Sequence, residues 1–167
     1  KKALIRVDFN VPLDENFKVT DNTRIEAAKP TIEKILKDGG TAVLMSHLGR
    51  PKGERNDKYS LRHIVSEVEK VLGKKVIFVD DCVGEVAEKA VAAAPAGSVV
   101  LLENLRYHNE EEKGDENFSK QLAKLGDIYV NDAFGTAHRA HASTTIVAKF
   151  FPNNKCFGYL LAKEIES

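Results

Sequence analysis

Five stretches of this chain are almost unbroken runs of apolar or β-branched residues: ALIRVDF (3–9), TAVLMS (41–46), KVIFVD (75–80), SVVLLE (98–103) and DIYVNDAF (127–134). A strand with one wet face alternates apolar and polar residues. A strand covered on both faces does not, and that is the habit of a parallel sheet. Helical patterns separate the runs. PTIEKILKDGG (30–40) should carry Pro30 near its first turn and end on Gly39-Gly40. SLRHIVSEVEKVLGKK starts on Ser60, a good N-cap, with Leu61, Ile64, Val65, Val68 and Leu72 on one face. GEVAEKAVAAAPAG (84–97) and DENFSKQLAKLG (115–126) read alike, with Asp115 capping the latter and Gly126 closing it. Strand then helix, repeated, predicts an α/β domain with a mostly parallel sheet and right-handed crossovers. Two polar stretches, KGERNDKY (52–59) and HNEEEKGDEN (108–117), are expected as solvated loops.

Charge narrows the choice of partner. The 25 basic and 25 acidic side chains cancel, so no global field draws the chain to nucleic acid or to an anionic membrane. Any anion site must be a local concentration of charge. Cys82 and Cys156 lie far apart, without the spacing of a disulfide framework or a zinc site, and read as reduced cytoplasmic thiols. No apolar run is long enough to span a bilayer, and KKALIRVDFN places Asp8 where a signal peptide needs its apolar core. The sole methionine is Met45, and GYLLAKEIES stops within a helical pattern without a cap, so the chain reads as a piece of a longer protein.

Ligands of an open parallel sheet bind beyond the carboxyl ends of its strands. Strand one leads into Asp8 and Asn10, strand two into His47 and Arg50, strand four into Arg106 and His108, and strand five into His138, Arg139 and His141. The chain has seven arginines; Arg50, Arg106 and Arg139 follow strand ends directly, and Arg24 sits in the connection after strand one. Guanidiniums gathered at one rim repel one another unless an anion joins them, and their planar forks suit carboxylate and phosphate. The competing reading pairs each arginine with a local acid such as Glu103 or Asp132. Gly49 and Gly135 fit close approach of backbone to a ligand, or simply tight turns. There is no Walker-type phosphate loop, no GxGxxG after the first strand and no GxSxG elbow. His138 and His141 lack the acidic or cysteine company of a metal centre, and no metal site is expected.

Taken in order, RVDFNVP, DNTRI, SHLGRP, ENLRYH and NDAFGTAHRAHAS resemble the phosphoglycerate kinase family, and the resemblance covers essentially the whole chain. It implies a three-layer α/β/α sandwich of Rossmann-like type, one of the two domains of the full-length enzyme. Residues 1–155 would form the N-terminal, phosphoglycerate-binding domain. Residues 156–167, in CFGYLLAKEIES, would begin the interdomain helix. The domain that binds Mg2+ with ADP or ATP lies outside this chain, so no cofactor is expected on this domain alone. The implied partners are 3-phosphoglycerate, 1,3-bisphosphoglycerate and the protein's own C-terminal domain. The implied state is a cytoplasmic monomer acting in glycolysis.

Carried over by motif, the substrate ligands would be Asp8, Asn10, Arg24, His47, Arg50, Arg106 and Arg139. Phe9, Leu48 and Gly49 belong to the same binding segments. The resemblance makes Arg24 the catalytic arginine at the transferring phosphoryl group, and leaves His138 and His141 in the basic patch without an assigned ligand role. The chemistry suits this set. A carboxylate nucleophile of pKa about 4 is ionised at neutral pH and needs no general base. Two anions meeting in line need charge neutralisation and positioning. Two other classes use the same residues: a non-catalytic phosphate-ligand module on this fold, and a phosphosugar enzyme complete in one domain.

Overall fold

Strand β1 (Lys2–Arg6) runs through the middle of a parallel sheet, between β2 (Thr41–Met45) and β5 (Ile128–Asn131). This computed structural model describes residues 2–7, 9, 11–48, 57–131, 146–150 and 155–156. The remaining strands are β3 (Val76–Val79), β4 (Val99–Leu102) and β6 (Lys155–Cys156). They complete a six-stranded sheet of order β3-β4-β2-β1-β5-β6, and its pairings are all parallel. The chain leaves β1 toward β2 on one side and reaches β5 on the other. Strand-end connections therefore converge around β1.

The period of two sorts the strand residues between two cores. Ala3, Ile5, Val7, Ala42, Leu44, Val99 and Leu101 pack against Ile25, Ala28 and Ile32 of α1 (Thr23–Lys37) and Val68 and Leu72 of α2 (Val65–Leu72). On the other face Leu4, Val43, Met45, Val100, Leu102 and Tyr129 meet Ala87 and Val91 of α3 (Gly84–Ala93). Phe118 and Leu122 of α5 (Glu116–Ala123) complete that layer. Both faces are dry, which is why the runs do not alternate. Each buried side chain of this size contributes roughly 1.5–3 kcal/mol. The expected α/β architecture with its parallel sheet is the one observed.

Several local expectations need correcting. Helix α1 starts at Thr23, a full two turns before Pro30, which lies inside it. Asp21 sets that start: its Oδ1 accepts from Thr23 N at 3.0 Å and from Thr23 Oγ1 at 2.6 Å. Arg24 therefore stands in the first turn of α1 and not in a connection. Ser60 does cap, but it caps a 3-10 turn, Leu61–Ile64, that leads into α2. Gly126 does not end a helix; α5 ends at Ala123. A Cβ at Gly126 would lie 2.8 Å from Leu4 Cβ and 2.9 Å from Leu4 N, so only glycine lets this turn close on β1. The stretch 108–117 is not a solvated loop. It forms α4 (Asn109–Lys113), stopped by left-handed Gly114, and carries the fully buried Glu111. Cys156, expected at the start of a helix, lies in β6; residues 157–167 fall outside those described.

Candidate anion-binding site

The connections after β1, β2 and β4 are tied to one another before any ligand is considered. Val7 N donates to Met45 O at 3.0 Å, carrying the β1–β2 ladder past the strand ends. Phe9 N donates to Ser46 Oγ at 2.9 Å, and Leu105 N donates to Ser46 O at 3.0 Å. Ser46 thus joins all three connections. Asn104 is a second clip. Its Nδ2 donates to Leu48 O and to Tyr59 O, both at 2.8 Å, while its Oδ1 accepts from Arg106 N at 3.0 Å. That last bond shapes the 3-10 turn Leu105–Tyr107, on which Arg106 is held with only 8% of its surface exposed. Glu103, the acid proposed as an arginine partner, accepts from Ser60 Oγ at 2.6 Å and from Leu61 N and Asn104 N at 2.9 Å. It therefore anchors the Ser60 turn to the β4 end.

Beneath this edge lies a buried charge network. Arg6, the last residue of β1, is fully buried. Its Nη2 lies 2.9 Å from His47 Nδ1, its Nη1 donates to the Val7 carbonyl, and its Nε stands 4.0 Å from Glu111 Oε2. Glu111 is equally buried, so the guanidinium charge is balanced where water does not reach. Burial drives the hydroxyl of neighbouring Tyr129 far above the ordinary tyrosine range, against the opposing pull of Arg6. His47 itself is 6% exposed.

Arg24 is exposed and lines an open cleft of about 340 Å³ with Val11, Pro12 and Asp21. The Thr23 side-chain and backbone bonds hold the Asp21 carboxyl below its usual range, with the Arg24 charge adding to them. The carboxylate that starts α1 thereby stays ionised beside the arginine.

The structure brings Phe9, His47, Leu48 and Arg106 into one bonded framework and sets Arg24 over the β1 connection. The side chains of Phe9 and Leu48 belong to the α1-side core, so these two residues offer a ligand their backbone only. Asp8, Asn10, Gly49, Arg50, His138, Arg139 and His141 lie outside the described residues. Arg6, Ser46, Asn104 and Glu111 were not singled out from the sequence. Arg6 alone left a signal there: a cation set in the near-continuous apolar run that forms the first strand.

Among the described residues one group has metal-ligand chemistry. Donor atoms of Asp81, Cys82 and His108 lie within 4.8 Å of one another. Burial pushes the Cys82 thiol well up, reinforced by the Asp81 and Glu111 charges. Partial burial also opposes ionisation of Asp81, but the 2.9 Å bond to His108 Nε2 and the Cys82 N–H outweigh it and leave that carboxyl below its usual range. The group is a hydrogen-bonded pair beside a protonated thiol. It does not fit Mg2+, which takes oxygen ligands.

The model of the family described as phosphoglycerate kinase matches residues 1–167. A phosphoglycerate kinase of Moorella thermoacetica is 57% identical over 167 residues, covering 100% of this chain and 42% of that protein. Cytosolic phosphoglycerate kinase 3 of Arabidopsis thaliana is 53% identical over 166 residues, covering 99% of this chain and 41% of its own length. Solved phosphoglycerate kinases from Coxiella burnetii and Pyrococcus horikoshii superpose with TM-scores of 0.84 and 0.85, at 37% and 32% identity. Each match covers 99% of this chain, and 41% and 42% of the respective structure. The chain thus spans less than half the length of the relatives it matches. With the family model matched over residues 1–167 and its fold shared with solved members, the chain belongs to the phosphoglycerate kinase family.

Proposed function

We propose that the full-length protein catalyses reversible phosphoryl transfer between 1,3-bisphosphoglycerate and ADP, giving 3-phosphoglycerate and ATP, and that this chain supplies the phosphoglycerate-binding half. The observation that carries the reading is the bonded framework at the strand ends, where Ser46 and Asn104 fix the segments bearing His47 and Arg106 side by side. A small ligand with several charges needs donors arriving from several directions, and this framework supports such a set.

In this reading Arg50, Arg106 and Arg139 hold the fixed phosphate of the substrate, with His47 nearby. Asp8 and Asn10 orient its hydroxyl and carboxyl end. Arg24, exposed over the β1 connection, acts on the transferring group, where charge spreads over the phosphoryl oxygens. Mg2+ with ADP or ATP, bound on the C-terminal domain, neutralises phosphate charge. Closure of the two domains excludes water. The protein acts as a cytoplasmic monomer in glycolysis, a reading supported by its cytosolic relatives.

The test is steady-state kinetics of the full-length protein with 3-phosphoglycerate and Mg-ATP. The reading requires turnover, and it requires Arg24→Ala to lower kcat far more than it raises the KM for 3-phosphoglycerate. Binding of 3-phosphoglycerate without turnover would instead mark a non-catalytic binding module. Turnover by the present chain alone would mark an enzyme complete in one domain.

A further inference from the structure

A neutral imidazole has one donor and one acceptor nitrogen, and which is which depends on the bond the ring makes. At His47 that bond is defined. Arg6 Nη2 stands 2.9 Å from Nδ1. A guanidinium can only donate and does not give up its proton in proteins. Nδ1 must therefore offer its lone pair, and the ring proton must sit on Nε2. The guanidinium cannot turn away to release the ring, because it also donates to the Val7 carbonyl and faces Glu111 at 4.0 Å. All three side chains are buried, so water does not substitute for either partner.

We propose that Arg6 is a positioning residue that locks His47 in its Nε2–H form, so that the ring meets the anion of the site with a donor. The proposal rests on the reading that this edge binds phosphoglycerate. An imidazole with its lone pair on Nε2 would repel an anionic oxygen. An unrestrained ring would populate both forms. Glu111 belongs to the device: without a countercharge, the buried cation would be expelled from the position that fixes the ring.

The test separates the lock from the function. In the ligand-free full-length protein labelled with 15N-histidine, the His47 signals are assigned by their loss in His47→Asn. The expected spectrum has a pyridine-type Nδ1 and a pyrrole-type Nε2. A pyrrole-type Nδ1 in the unaltered protein overturns the proposal and requires no variant. The double variant R6M/E111Q removes both buried charges together and should show a mixture of the two tautomers. Arg6→Lys keeps a donor and should restore at least part of the original pattern. Calorimetric affinity for 3-phosphoglycerate should fall roughly tenfold in R6M/E111Q, about the worth of one charge-assisted hydrogen bond. An unchanged tautomer in that variant, or a changed tautomer with unchanged affinity, also overturns the proposal. Failure of the unaltered protein to bind 3-phosphoglycerate, with the tautomer as described, would instead sink the functional reading.

Discussion

Glu111 decides whether Arg6 can be tolerated where it is. The two side chains are fully buried and their charges stand 4.0 Å apart. Removing one member of such a pair leaves an uncompensated ion in the core, so Glu111→Ala should cost about 3–5 kcal/mol in urea denaturation, and R6M/E111Q should recover most of it. Asp81, bonded to His108 at the start of α4, offers a pH-dependent counterpart. Its carboxyl is held below the usual 3.8 in the folded chain, so its stabilising effect is complete above the unfolded-state value and fades as pH falls through the folded one. The stability difference between the unaltered protein and Asp81→Asn should therefore hold near pH 5 and shrink steadily below about pH 4. Both arrangements were hidden from the sequence for the same reason. Glu111 sits in a run of acids that any solvated loop could carry, and nothing in its spacing points to a partner 105 positions away in the chain. Arg106 and His47 were legible because the strand-end rule fixes position without needing to know what each side chain touches.

At the scale of elements, β1 to β5 were readable from their apolar runs, and α2, α3 and α5 from their periodic faces. The front of helix α1 is not legible from Pro30, a residue common in a first turn that here lies in the helix interior. The true signal was Asp21, two residues before Thr23, whose carboxylate satisfies the first turn. Pro30 survives in the interior because it is exposed, while Ile25, Ala28, Thr31 and Ile32 hold the helix to the sheet. An interior proline costs a helix about 3 kcal/mol, part of which it returns by restricting the unfolded chain. Pro30→Ala should thus raise stability by about 1–2 kcal/mol in thermal or urea unfolding. The two-residue β6 was not legible, since so short a strand carries no periodic pattern.

At the scale of the molecule, the sheet order places β4, β2, β1 and β5 inside, each flanked on both sides. Native-state amide exchange should be slowest at Leu4, Ile5, Val43, Leu44 and Leu101, and much faster at Lys155 and Cys156 on the sheet edge. Equal protection across the sheet would contradict this order. The Asn104 clip has a consequence that reaches past its own bonds. Its amide grips Leu48 on one side and Tyr59 on the other, and these residues bracket the segment that carries Gly49 and Arg50. One side chain therefore fixes the span between Leu48 and Tyr59, and much of the loop-closure entropy of that span is spent during folding. In Asn104→Ala both carbonyls lose their donor, and the two ends of the span are no longer held to the β4 connection.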